Sequence, residues 1–295
     1  NSCGSHMLSL RITVTILAVS HAFHTTPAGP RRAVARQAVA EAAGVVGVGG
    51  FLAWAFQGVG PSDEAAASVA ANPPHEIQEL NGLLFGDEPK VALYCGAKIR
   101  PESYAPLARR VADEVGGGVL VLQSPFNVYA FKPATVEKVL SVYPSITCIA
   151  GHSIGGLWAA EFCRDLKKWP ANGLSFFFMG VHGSMLDFSQ FKALPFSRVG
   201  WSVATEDVTM QRCVDDDECD TSSSEAIADA YIERTRDQFP SSAKLYRIDG
   251  GNHEQYGYYG SPSYDKGLAY KDLVAKISAE EQCALVAAAL ADTAR

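Results

Sequence analysis

The sequence predicts an α/β fold, with a mostly parallel central sheet flanked by helices. Three observations carry this. Apolar runs of four to six residues recur along the chain, the length of a buried strand and too short for a helix. Segments of eight to fifteen residues with apolar positions at helical spacing lie between them. Hydrophobic residues make up 47% of the 295 residues, enough for a sizeable core. Alternation of this kind is the pattern of strands joined by crossover helices.

In chain order, Val91 to Cys95 is the first predicted strand, and Pro101 to Val115 follows as a helix. Val119 to Leu122 is the next strand, Thr135 to Val142 a helix, and Ile146 to Ala150 a third strand. Gly155 to Leu166 reads as a helix, then Leu174 to Met179 and Val199 to Ala204 as strands. Ala226 to Phe239 is an amphipathic helix, Leu245 to Ile248 the last strand, and Ser278 to Ala291 the closing helix. About six strands result, with little or no room for a lid domain.

The net charge of -7 argues against nucleic acid as a partner, because duplex binding relies on clustered Lys and Arg. The seven cysteines form no CxxC pair, and no His/Cys cluster has zinc spacing, so no metal site is expected. Cys95, Cys148, Cys163 and Cys283 read as small buried apolar residues. Cys213 and Cys219 flank an acidic loop, Val-Asp-Asp-Asp-Glu, where a short disulfide and two free thiols are both open readings.

The N-terminal quarter differs in composition. Residues 1–6 read as a cloning remnant before Met7. Residues 7–22 combine a basic start, an apolar run and a Ser20-His21-Ala22 cleavage-like end. Phe23 to Gln37 carries Arg31, Arg32 and Arg36 with no acidic residue. The Ala-Val-Ser-His-Ala-Phe stretch resembles bipartite presequences of algae with secondary plastids, which implies delivery to a plastid; the secretory pathway is the alternative. The apolar run from Ala42 to Phe56 is Gly-rich and falls short of the ~20 residues that span a bilayer comfortably. With Ser68-Val69-Ala70 after it, the run resembles a thylakoid-transfer signal, cleaved to leave a lumenal protein. Uncleaved, residues 42–60 would tether it to the thylakoid membrane. Residues 65–74 read as a linker, and 75–295 as the main α/β domain.

Chemistry enters at Gly151-His152-Ser153-Ile154-Gly155. A G-x-S-x-G match alone is weak, but this one leaves a buried strand and opens a helix, the setting of a nucleophile elbow. A serine hydroxyl needs a base to take its proton. His253, in the Gly250-Gly251-Asn252-His253 loop after the last strand, is the candidate. His21, His24 and His75 lie outside or at the edge of the domain, and His152 is expected to shape a wall of the site. His182 follows a strand and is a second pocket candidate. The acid should leave the preceding strand, where Thr205-Glu206-Asp207 sits. Asp207 is the first choice and Glu206 the alternative, while Asp215, Asp216, Asp217 and Asp220 read as a solvated loop.

Residues 90–292 resemble a compact α/β-hydrolase family, widespread in bacteria, that carries a Gly-Gly-Asn-His-x-Gln-[Phe/Tyr]-Gly signature. The matching residues are Gly250-Gly251-Asn252-His253-Glu254-Gln255-Tyr256-Gly257, Gly96-Ala97-Lys98, Tyr104-Ala105-Pro106-Leu107-Ala108, Pro125-Phe126-Asn127 and Gly151-His152-Ser153-Ile154-Gly155-Gly156. The resemblance implies an α/β-hydrolase fold and a Ser153, Asp207, His253 triad. It also implies an oxyanion hole from Ile154 N–H and the Gly96-Ala97 loop. Ala97 stands where the family usually has Gly, and Thr209 to Ser224 looks inserted.

The expected activity is that of a serine carboxylesterase or lipase-like enzyme acting on a small ester or lipid-like substrate through an acyl-enzyme, with no cofactor. A thioesterase or acyltransferase on the same triad is the alternative, as is a non-catalytic plastid binding protein that keeps the fold. Phe126, Tyr129 and Phe131 are candidate apolar pocket walls, with Tyr256 beside the base; ordinary packing is the equal alternative for the three loop aromatics.

Overall fold

A computed structural model describes residues 58–125, 132–181, 187–210, 223–260 and 272–295. The expectations for the presequence, for Phe126, Tyr129, Phe131 and His182, and for the Cys213/Cys219 loop lie outside these residues.

Eight strands form one sheet: β1 (His75–Ile77), β2 (Gly82–Phe85), β3 (Pro89–Tyr94), β4 (Gly118–Leu122), β5 (Cys148–His152), β6 (Ser175–Met179), β7 (Val199–Ala204) and β8 (Lys244–Ile248). Their order is β1-β2-β4-β3-β5-β6-β7-β8. β3 through β8 pair in parallel, while β1 and β2 add an antiparallel edge to β4. The six predicted strands are all present, each end within two residues of the expectation. The edge hairpin goes beyond the expectation, because His75-Glu76-Ile77 is short and polar.

The described α-helices are α1 (Asp63–Ala71), α2 (Ala105–Val115), α3 (Val136–Val142), α4 (Ile154–Arg164), α5 (Ser224–Arg236) and α6 (Ala279–Ala294). The strands alternate side chains between two cores, as a sheet covered on both faces must. Leu93, Val121, Ala150 and Phe177 pack with Leu107 and Val111 of α2 and Val286 and Leu290 of α6. Tyr94, Leu122, Ile149 and Phe178 point the other way, with Val139 of α3, Ala159 and Cys163 of α4 and Tyr231 of α5. Cys95, Cys148, Cys163 and Cys283 are all buried free thiols in these cores.

Residues 65–74, expected as a linker, instead hold most of α1. Ser62 caps this helix by accepting from the Ala65 N–H, and Asp63 and Glu64 lie in its first turn. Ala65 is fully buried, and the Arg109 guanidinium of α2 donates to the Ser68 hydroxyl and to the Asn72 carbonyl. The supposed cleavage residues Ser68 to Ala70 are thus inside a docked helix. No helix among the described residues is long and apolar enough to cross a membrane.

The topology dictates where a ligand can sit. From β3 the chain crosses through α2 to β4, then returns through α3 over β3 to β5, and moves on through α4 to β6. β3 and β5 are therefore neighbours whose following connections leave in opposite directions. A crevice opens beyond the carboxyl ends of such a strand pair, and open α/β sheets bind their ligands there. The loops at that point are Gly96-Ala97-Lys98 after β3 and Ser153 after β5.

Candidate active site

Ser153 stands between β5 and α4 at φ 53°, one of three non-Gly residues with positive φ among those described. An L-residue pays a steric penalty there, so the surroundings must enforce it. Two glycines make the turn fit. A Cβ on Gly151 would run into the Gly156 backbone, and one on Gly155 into the Cys95 carbonyl. The Ser153 N–H donates to the Met179 carbonyl at 2.9 Å, which locks the elbow to the end of β6. Although Ser153 is the N-cap of α4, its hydroxyl makes no capping bond. It is half-buried at the sheet's carboxyl edge, above the helix N-terminus.

His253 is buried, and its ring lies 4.7 Å from that of His152, the chain neighbour of Ser153. Its Nδ1 is 2.8 Å from Asp207 Oδ2. Asp207 is held in turn: its Oδ1 accepts both the N–H and the hydroxyl of Thr209. Burial pulls the His253 pKa down, but the charge and hydrogen bond of Asp207 outweigh it. Asp272 and Glu254 add to that pull, and the net shift is upward from the ordinary 6.5. Glu206, the alternative acid, faces away. Its Oε1 accepts from the Ser224 hydroxyl and pairs with Lys276 Nζ, both at 2.8 Å.

The loop bearing His253 is fixed by a residue that composition hid. Gln282 in α6 is fully buried; its Oε1 accepts from Asn252 N–H at 2.9 Å and its Nε2 donates to Asn252 O at 2.8 Å. Asn252 Oδ1 accepts from Gln255 N–H, and Asp272 Oδ2 from Glu254 N–H. The signature residues around His253 therefore build a rigid turn. A Gln in an Ala-rich helix reads as a solvent-facing position, so nothing in the pattern singled it out.

Three expectations need correction. Gly96 N–H donates to the Tyr104 hydroxyl at 2.9 Å and is engaged within the protein, so it does not serve as an oxyanion donor. Ala97 N–H, by contrast, has no acceptor among the described residues, and Ile154 N–H belongs to the first turn of α4, which has no intrahelical acceptor. His152 and Tyr256, expected as pocket walls, are each 1% exposed and lie beneath the site, their rings 5.3 Å apart. Both pack against the His253 ring, and His152 also against Tyr104, so they support the base from below and do not line an open wall. Among the described residues no group of three His, Cys, Asp or Glu could hold a metal ion.

The model of an alpha/beta hydrolase family matches residues 90–198. Solved structures similar to this chain include the esterase domain of a Rhodothermus marinus protein, at 10% identity over 72% of this chain and 93% of that one, TM-score 0.43. Carboxyl esterase 2 of Tuber melanosporum is 11% identical over 72% and 82%, TM-score 0.44. A hormone-sensitive lipase from a metagenome library is 13% identical over 78% and 92%, TM-score 0.42. No curated protein matches the sequence. The parallel sheet between two helical layers, with a strained serine leaving β5, is an α/β-hydrolase fold.

Proposed function

We propose that the protein is a serine hydrolase of carboxylic esters. Ser153 is the nucleophile, His253 the general base, and Asp207 the group that orients the imidazole. The observation that carries this reading is the 2.8 Å contact from Asp207 Oδ2 to His253 Nδ1, on a ring lodged beside the elbow of Ser153. With Nδ1 bound to the carboxylate, the lone pair of Nε2 is left to accept the Ser153 proton. The alkoxide attacks the ester carbonyl, Ile154 N–H and Ala97 N–H hold the oxyanion, and His253 protonates the leaving alcohol. Water activated by the same imidazole then releases the acid.

The alcohol and acyl parts of the substrate would sit in the crevice between the β3 and β5 loops. We assign plastid delivery to the presequence, on the residues from Met7 to Gln37 alone. Hydrolysis of short-chain p-nitrophenyl esters by the wild type, Ser153→Ala and His253→Ala tests the chemistry. Activity in the wild type alone supports it. Undiminished turnover in either variant refutes the assigned residue.

A further inference from the structure

We propose that Tyr104 is a positioning residue for the oxyanion hole, tying the loop after β3 to the elbow after β5; this rests on the serine-hydrolase reading above. Tyr104 is fully buried at the last position of the short 3₁₀ turn that precedes α2. Its hydroxyl oxygen accepts the Gly96 N–H at 2.9 Å and lies 2.8 Å from His152 Nδ1. One phenol therefore touches the residue before Ala97 and the residue before Ser153. The two loops also press together directly, since a Cβ on Gly96 would come 2.8 Å from His152 Nδ1.

The hydrogen bonds fix a direction. Gly96 N–H is held by Tyr104, and the Gly96 carbonyl accepts from Ile99 N–H at 3.2 Å. A peptide plane is rigid and trans, so its N–H points opposite its C=O. With the Gly96 carbonyl turned toward Ile99, the Ala97 N–H of the same plane is turned the other way, out of the loop. Anchoring both sides of Gly96 thereby aims the donor that the oxyanion needs.

The same phenol sets the state of His152. Among the described residues the Tyr104 proton has no other acceptor than His152 Nδ1, and a buried hydroxyl proton is rarely left unbonded. With the hydroxyl donating to Nδ1, His152 carries its own proton on Nε2 and is the neutral tautomer. Its ring lies 4.7 Å from the ring of His253, which becomes an imidazolium during each turnover. A neutral neighbour avoids the like-charge contact that would oppose this.

Tyr104→Phe keeps the ring and removes only the hydroxyl. The comparison is Tyr94→Phe, which deletes an equally buried hydroxyl that donates to the Ala134 carbonyl on the opposite face of the sheet. On an activated ester, kcat of Tyr104→Phe should fall tenfold to a hundredfold (roughly; loss of a whole oxyanion donor costs ~10²–10³), with KM within about threefold. Tyr94→Phe should lower the melting temperature similarly and hold kcat within about threefold. His152→Asn, whose amide oxygen can take the Tyr104 proton, should keep more kcat than His152→Leu. Wild-type kcat in Tyr104→Phe, a loss carried by KM, or an equal loss in Tyr94→Phe would overturn the proposal. A wild type whose turnover does not depend on Ser153 would instead remove the reading beneath it.

Discussion

Replacing Asp207 with Asn tests the triad on its weakest point. In the native site Oδ1 accepts two hydrogen bonds from Thr209, and Oδ2 faces His253 Nδ1 at 2.8 Å. An asparagine must offer its carbonyl oxygen to the Thr209 N–H, because an amide NH₂ cannot accept there. Its NH₂ then falls at the place of Oδ2 and donates to Nδ1. The imidazole proton is forced onto Nε2, toward Ser153, and the base is lost. The gross attraction between a carboxylate and an imidazolium at this distance is about 6 kcal/mol at an effective dielectric of ~20. That corresponds to a ~10⁴ loss in kcat, the scale a serine protease shows for the same exchange. The assay is kcat/KM on one activated ester, with circular dichroism to confirm folding. Adding Thr209→Val to Asp207→Asn removes the hydroxyl but leaves the backbone N–H, so little should be recovered. A loss below about tenfold for Asp207→Asn, or a large loss for Glu206→Gln, would refute the reasoning.

Several further outcomes can be checked. Because the His253 pKa is raised and the neutral ring is the active form, kcat/KM should rise through a midpoint above 6.5; a midpoint below that value counts against the Asp207 contact. The same shift means the protonated pair adds stability in full below about 6.5 and loses it as pH rises through the folded value. The melting-temperature deficit of Asp207→Asn should therefore shrink from pH 5.5 to 9. Ser153→Gly relieves the positive φ and should melt about 2–4 °C above Ser153→Ala, for ~1 kcal/mol of strain; equal melting would mean the elbow stores none. Gln282→Leu strips both bonds from Asn252 and should cost roughly 2–4 kcal/mol by urea unfolding, with a fall in kcat; an unaltered midpoint would deny the clamp. A fusion of residues 7–71 to a fluorescent protein should enter plastids of a secondary-plastid alga. Since α1 is docked, the mature N-terminus found by proteomics should lie before Val59, and one at Ala71 would contradict that docking.

The parallel strands were legible because burial on both faces demands continuous apolar residues, and Phe-Phe-Phe-Met at 176–179 or Cys-Ile-Ala at 148–150 satisfy that. The polar edge strand β1 carries no such demand. Its one signal is the turn pair Asn81-Gly82, with Asn81 left-handed at φ 52°. α1 was hidden by its alanines, though Ser62 followed by Asp63 and Glu64 is a helix-start pattern. At the site, Ser153 and His253 stood out because strand ends and glycines announce loops. Choosing Asp207 over Glu206 rests on side chains leaving a strand in alternating directions, and Glu206 does face Ser224 and Lys276. Tyr104 stands in a motif of the resemblance, but its role, like that of Gln282, was hidden because their partners, His152 and Asn252, lie 48 and 30 residues away, and long-range hydrogen bonds leave no period in a sequence.

The central claim is that Ser153 is an activated nucleophile, and covalent capture addresses it most directly. The purified protein is treated with a fluorophosphonate probe at pH 8, digested, and the adduct located by mass spectrometry. A single phosphonylated residue at Ser153, absent from Ser153→Ala and strongly slowed in His253→Ala, is the predicted result. No labelling of the folded wild type, or an adduct on another residue that persists in Ser153→Ala, would contradict the account.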